Sequence, residues 1–523
     1  MARVLVTETV SPAGLDLLRA AGHDVDVALG LAHGGLLDAV RGAAALIVRS
    51  ATQVTAEVFD AATGLVVVGR AGIGVDNIDV AAATRRGVLV VNAPQSNVLS
   101  AAEHTMALML AQARNIPQAH AALVAGRWER SRWEGVELHG KVLGVVGLGR
   151  VGALVAQRAA AFGMRIVAYD PYISAERARQ LGAELLGLDE VVGRADFLTI
   201  HLPKTPETVG LIGADILSRA KPGVRVLNAA RGGIVDEKAL AEALAAGTVA
   251  GAALDVFDQE PPVASPLFEY DTVVVTPHLG ASTREAQDKA GLSIAEQVRL
   301  ALAGELVPFA VNLAAAEVPD AVHPWVPLAE RLGRLWGSLV PELPSVLDVE
   351  VEGPLADHDT RALTLAALKG LFAMVTDEPV SYVNAPRLAD ERGLAVRSTS
   401  APAPASTGYV NLVTLRGGAH AVAGTLFGGR EPRVVMVDDH DIELPLARWM
   451  VIVHNDDRVG MVAAVATILA GAGLNIVDLK LGRSAEGGTA MMALSFEQPI
   501  PVGVVEALRA TAGILDAVAL SDV

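Results

Sequence analysis

The chain contains no cysteine. That excludes disulfides, thiolate catalysis and cysteine-ligated zinc together, and it fits a reducing compartment, so a cytoplasmic protein is expected. Aromatic residues make up only 4% of the sequence, so core volume has to come from Val, Ile, Leu and Ala. Basic residues are the minority: 42 Lys+Arg against 59 Asp+Glu leave a net charge of −17. With nothing to offset phosphate repulsion, bulk nucleic-acid binding is excluded. H-E-x-x-H, zinc and EF-hand patterns are missing, so no metal is expected. The opening Met-Ala-Arg-Val-Leu-Val-Thr-Glu reaches an acid before a signal-length apolar run, so no targeting segment is expected. One uncharged window, Val459 to Val477, has the length of a membrane span. Gly471, Gly473 and Asn475 interrupt it. The window reads as a helix over about 460–470, a glycine turn and a strand from Leu474, and no membrane association is expected.

The chain has 523 residues, 52% of them apolar and 19% charged, which is enough for three or more domains with buried cores. Apolar runs at Val4, Ala44–Val48, Leu65–Gly69 and Val88–Asn92 alternate with helical spacing. A second series begins at Lys141. Its strands run from Val142, Arg165, Phe197, Arg225, Val249 and Thr272, with helical stretches between them, the first at 150–162. Continuous apolar runs alternating with helices predict doubly wound parallel sheets. Composition shifts near 315. Helices at about 324–340 and 358–374, then strands over Tyr409–Leu415, Ala421–Phe427 and Arg433–Val437, predict an α+β unit. Ser398–Gly408 reads as a mobile loop. From about 447 the order βαββαβ predicts a ferredoxin-like domain.

Gly147-Leu-Gly149-Arg-Val-Gly152 follows a strand and opens a helix. Asp170 ends the next strand. Glycines at this spacing permit a tight turn and bring backbone N–H groups at a helix N-terminus against a pyrophosphate. An acid at 170 accepts both ribose hydroxyls and repels a 2′-phosphate, so NAD is the expected cofactor.

Three further segments leave the carboxyl ends of strands, where open α/β sheets bind ligands. They carry Arg231 (Asn228-Ala-Ala-Arg-Gly-Gly), Glu260 (Asp255-Val-Phe-Asp-Gln-Glu-Pro-Pro) and His278 (Thr276-Pro-His-Leu-Gly). The guanidinium of Arg231 can hold a carboxylate and polarise the carbonyl beside it. His278 suits proton exchange with a hydroxyl, and Glu260 would orient it. This is a catalytic set for hydride transfer.

These motifs resemble the D-2-hydroxyacid dehydrogenase family. Arg49-Ser-Ala-Thr52, Arg70 to Asn77, Val91-Asn-Ala-Pro94 and the C-terminal extension resemble its long-form members, which oxidise 3-phosphoglycerate with NAD at the entry to serine synthesis. The resemblance implies a discontinuous substrate domain, flavodoxin-like, from 1–97 and 283–315, with a Rossmann NAD domain inserted at 98–282. It also implies a middle α+β domain over 316–446, with a regulatory or assembly role, and an ACT regulatory domain over 447–523. Implied neighbours of the cofactor are Gly147, Gly149, Arg150, Val151, Gly152, Asp170, His201, Leu202, Pro203, Asn228, Ala229, Ala230, Arg231, Asp255, His278, Leu279, Gly280 and Ala281. Arg49, Arg70, Gly72, Ile73, Gly74 and Asn97 are expected at the substrate. Arg132 and Lys141 would reach a neighbouring subunit's site in a homo-oligomer, a dimer or tetramer. L-serine is the expected inhibitor, held by Asn455 and Asp457 at the turn and by Asn475 across the interface of paired ACT domains. Val459 stands where the family usually has proline, so serine should act more weakly here. His23, His33, His104, His120 and His139 lack ligand spacing and read as structural. A glyoxylate or hydroxypyruvate reductase is the nearest alternative, and a dehydrogenase-fold transcriptional corepressor a distant one.

Overall fold

The computed structural model describes all residues except 263, 314–317, 379, 403–407, 439, 484–487 and 522–523. Apolar runs without alternation become strands buried on both faces. Ala45–Val48 and Phe197–Ile200, for example, are buried at every position. The first sheet is parallel, in the order Asp24–Val27, Arg3–Val6, Ala45–Val48, Val67–Arg70, Leu89–Val91. The second is a seven-stranded parallel sheet in the order Val273–Val275, Val249–Leu254, Val224–Asn228, Phe197–Ile200, Val142–Val146, Arg165–Tyr169, Glu184–Leu185. Helix Val98–Ala113 crosses from the first sheet to the second. Helix Arg284–Leu302 returns to pack on Pro12–Ala20. The two helices meet at Gly14 and Gly291, where a Cβ on Gly14 would lie 2.5 Å from the Gly291 carbonyl oxygen. Only glycine permits that approach.

The third unit is a mixed six-stranded sheet in the order Ala395–Ala401, Val346–Glu352, Leu412–Gly417, His420–Phe427, Glu431–Val437, His440–Pro445. Strand Val346–Glu352 lies next to the edge. Its residues alternate between buried and half-buried, as expected of a strand with one face against a core. Helices Val326–Leu339 and Arg361–Val375 pack together through Gly333 and Gly370, where a Cβ would strike backbone of the facing helix. Residues Ala395–Ala401 form an edge strand parallel to Val346–Glu352, which corrects the loop reading of Ser398–Gly408. Their small polar side chains are mostly exposed, so the segment carries no apolar periodicity to announce a strand; ladder hydrogen bonds hold it. The rest of that loop, 403–407, lies outside the described residues.

The last unit is an antiparallel sheet in the order Ile476–Arg483, Ala490–Phe496, Trp449–Asn455, Ile514–Ser521, with helices Met461–Gly471 and Val502–Arg509. This is the ferredoxin-like arrangement. The uncharged window thus resolves into a helix, a turn and a strand. Among the described residues no helix is long and apolar enough to cross a membrane. One apolar core runs without interruption from Ile47 and Ile294 through Trp336 and Phe372 to Met450 and Leu520. The first sheet, the middle unit and the last unit therefore pack as a continuous body.

Candidate active site

The glycine turn divides its work among three residues. Gly147 adopts φ +96°, and a Cβ there would lie 2.7 Å from the His201 carbonyl oxygen. A Cβ on Gly152 would strike the Gly147 carbonyl, so this position sets how closely helix Arg150–Ala161 approaches the strand before it. Gly149 faces open space. That is the side from which a pyrophosphate can approach the helix N-terminus. Asp170 accepts the Leu148 N–H at 2.9 Å on Oδ2 and the Tyr172 N–H at 2.9 Å on Oδ1, which fixes the carboxylate beside the turn. An open cradle flanked by a fixed acid fits NAD.

A cavity of about 410 Å³ opens at the carboxyl ends of the seven-stranded sheet. Of the residues singled out in the sequence, Val151, His201, Leu202, Pro203, Ala229, Ala230, Arg231, Asp255, His278, Gly280 and Ala281 line it from the second sheet. Ile73, Gly74 and Asn97 line it from the first domain. Gly147, Gly149, Arg150, Gly152 and Asp170 lie at the glycine turn, outside this lining. Asn228 shapes the wall from behind: its Nδ2 donates to the Arg231 carbonyl at 2.9 Å and its Oδ1 accepts the Ala230 N–H at 3.0 Å.

His278 and Glu260 form a close polar contact, Nδ1 to Oε2 at 2.6 Å. Burial alone would raise the Glu260 carboxyl. Hydrogen bonds from His278 and from the Phe257 N–H outweigh it, and the net shift is downward, toward carboxylate. His278 sits at φ +55°, a left-handed conformation costing about 1–3 kcal/mol outside glycine. Buried Asp255 holds that turn. Its carboxylate accepts the N–H groups of Leu279 and Gly280, both at 2.7 Å, and the Thr276 hydroxyl at 2.6 Å, while its carbonyl accepts the His278 N–H at 2.8 Å. Burial would raise the Asp255 carboxyl, but these bonds and one from His104 bring it below its ordinary value. His104 Nε2 stands 3.1 Å from Asp255 Oδ1 and 3.0 Å from Thr276 Oγ1. Burial pushes His201 down to about 4, so it faces the cavity neutral.

Arg49, Arg70 and Gly72 are not among the residues that line the cavity. The Glu8 carboxylate accepts the N–H groups of Arg49 at 2.8 Å, Thr52 at 2.9 Å and Ala51 at 3.2 Å, fixing the Arg49 loop. Burial, with Arg231 nearby, lowers Arg70 to about 10. Arg132 pairs with Asp271 and lies over the Trp133 ring, and neither it nor Lys141 reaches this chain's cavity. Asp76 and Lys204 line the cavity and escaped the sequence reading. Lys204 directly follows the His201–Pro203 run, and Asp76 lies within the Arg70–Asn77 segment. Position in the motif was the available signal in both cases.

A second cavity, of about 530 Å³, lies in the last unit, between the turn after strand Trp449–Asn455 and the facing strands. Asn455 and Asp457 line it, with Arg458, Val459 and Arg483. Asn475 does not line it; it is exposed just before strand Ile476–Arg483, and its expected role is across an interface between two such domains. The glycine turn before that strand carries it to the opposite end from Arg483. Asn455 is buried, and its Oδ1 accepts the Asp457 N–H at 3.1 Å. Asp457 Oδ2 stands 3.3 Å from Arg483 Nε.

A parallel sheet with this turn and this acid–base pair defines an NAD-dependent dehydrogenase. Residues 106–280 match the family model described as D-isomer specific 2-hydroxyacid dehydrogenase, NAD binding domain. Residues 321–438 match the D-3-phosphoglycerate dehydrogenase intervening domain, and 449–513 the ACT domain. The chain is 50% identical over 513 residues to the D-3-phosphoglycerate dehydrogenase of Mycobacterium tuberculosis, covering 97% of each protein. It is 42% identical over 522 residues to that of Synechocystis, covering 99% of this chain and 94% of the relative. A D-lactate dehydrogenase from Aquifex aeolicus, solved with NAD and lactic acid, superposes with a TM-score of 0.52 at 26% identity, over 58% of this chain and 96% of that one. The chain belongs to the D-3-phosphoglycerate dehydrogenase family.

Proposed function

We propose that the chain oxidises 3-phospho-D-glycerate to 3-phosphohydroxypyruvate with NAD, the first step of serine synthesis, at the 410 Å³ cavity. The observation carrying this reading is that His278, which lines one cavity with Arg231 at the strand ends, is backed by Glu260 at 2.6 Å. The glycine turn and Asp170 would hold NAD, which would supply the hydride acceptor. His278 Nε2 takes the C2 hydroxyl proton, and Glu260 on Nδ1 orients the ring. Arg231 holds the substrate carboxylate with paired N–H bonds and polarises the adjoining C–O bond. Asp255, through its four hydrogen bonds, keeps the His278 turn in place. The backbone of Ile73 and Gly74, which line the cavity, takes one anionic end of the substrate, and Arg49 and Arg70 add positive charge without lining it.

The assay is NADH formation across a panel of 2-hydroxy acids, with and without a phosphate, repeated with NADP. The expected result is a clear preference for the phosphorylated acid. NAD should be preferred over NADP by more than about tenfold in kcat/KM, because Asp170 repels a 2′-phosphate. Equal use of both cofactors contradicts the role of Asp170.

The same reading covers regulation and assembly. Backbone N–H groups at the turn before helix Met461–Gly471 would hold the carboxylate of L-serine. Asp457 would receive its ammonium, exchanging its present partner Arg483. Exposed Leu123, Val124 and Trp128 cluster on and after helix Ile116–Val124 and support a homo-oligomer built on the NAD domain, with Arg132 and Lys141 directed to a neighbouring site. The lack of cysteine supports a cytoplasmic setting. Isothermal titration with millimolar serine should show binding that Asp457→Ala abolishes. Unchanged binding in that variant removes the site.

A further inference from the structure

The mouth of the cavity holds an ion pair that the reaction as written does not use. Asp76 lies on the first-domain loop after strand Val67–Arg70, and Arg231 on the loop after Val224–Asn228. Their side chains meet across the cleft between the two domains, Asp76 Oδ2 lying 3.5 Å from Arg231 Nε. Both line the cavity. The pair needs the space that Gly74 leaves: a Cβ there would lie 2.5 Å from Arg231 Nη2 and 2.7 Å from Asp76 Oδ2. Arg231 Nη1 donates to its own neighbour's carbonyl, Ala230 O, at 2.7 Å.

Asp76 also serves a second cation. Burial lowers the Arg70 guanidinium, Arg231 lowers it further, and Asp76 and Glu8 oppose the fall. Two arginines are thus held close enough to repel each other, with Asp76 as the cavity-lining carboxylate that offsets them. An anion at the entrance to a site for an anionic acid opposes binding by simple Coulomb repulsion. Its placement makes sense if it occupies the position that the substrate's own negative group takes over.

We propose that Asp76 is the resident counter-ion of Arg231: it holds the guanidinium across the cleft until the substrate carboxylate displaces it. The proposal rests on the reading of Arg231 as the carboxylate-holding residue. Asp76 is then a positioning residue, and its charge competes with the substrate.

The consequence is a change in KM opposite to that of ordinary damage. Asp76→Asn keeps the side-chain shape and removes the competing charge. KM for 3-phosphoglycerate should fall about three- to fivefold, the scale of a half-exposed ion pair. Turnover should not rise, because Arg231 loses its guide, and KM for NAD should stay at the parent value. Asp76→Glu, which restores the charge, should return KM for the hydroxy acid toward the parent value. A loss of structure would raise KM instead.

Measured on the full-length protein, an unchanged or higher KM for 3-phosphoglycerate in Asp76→Asn overturns the proposal. Arg231→Lys, assayed beside it, separates the two levels of the argument. If that variant keeps parental kcat/KM, the reading of Arg231 itself has failed. If it is crippled while Asp76→Asn behaves as the parent, only the counter-ion role is lost.

Discussion

His278→Ala is expected to lower kcat for 3-phosphoglycerate oxidation by about 10²–10⁴-fold, the usual worth of a positioned general base. The imidazole is well placed for that work. Its Nδ1 is engaged by Glu260 at 2.6 Å, so the proton-accepting atom is Nε2. Its turn is fixed by Asp255, which is itself held by Thr276 and two backbone N–H groups. Alanine leaves this scaffold standing, so NAD binding should survive while turnover collapses. Glu260→Gln probes the same pair more gently. Losing the charged hydrogen bond that orients the ring should lower kcat by about tenfold or more while KM for NAD stays at the parent value. The Glu260 carboxyl is held below its usual range, so in the parent this contact is lost only as pH falls through that lowered value. A kcat unchanged in Glu260→Gln contradicts the pairing.

Arg231→Lys is expected to cost about 10–100-fold in kcat/KM despite the retained charge, because each lost hydrogen bond to an ion is worth about 1.5–3 kcal/mol. A guanidinium can offer two parallel N–H groups to a carboxylate while another edge faces elsewhere. In the structure Nε faces Asp76 and Nη1 faces the Ala230 carbonyl. A lysine ammonium is a point charge on a flexible stem and cannot occupy all these directions together. Steady-state kinetics with 3-phosphoglycerate checks it. Near-parental catalysis would exclude a paired contact with the substrate.

Local chemistry made the NAD site legible. Gly147, Gly149 and Gly152 each have a separate reason to be glycine, and those reasons are written in the spacing of strand, turn and helix. Arg231, Glu260 and His278 were visible because each follows an apolar strand, and strands of one parallel sheet end on one side. The Asp76–Arg231 contact was not visible. It joins loops on different domains, and no local period encodes how two sheets face each other across a cleft. His104 read as a structural residue, and it does support the site from behind, through Asp255 and Thr276. The edge strand Ala395–Ala401 was missed because small polar side chains leave no pattern, and its pairing is a backbone matter.

The central claim is that His278 takes only the hydroxyl proton, so that the hydrogen on C2 would leave as hydride to the NAD that the glycine turn would hold. Mass spectrometry of NADH formed from 3-phosphoglycerate carrying deuterium at C2 tests this most directly. The account predicts that the deuterium appears in the NADH. Unlabelled NADH, with the deuterium lost to water, would contradict it.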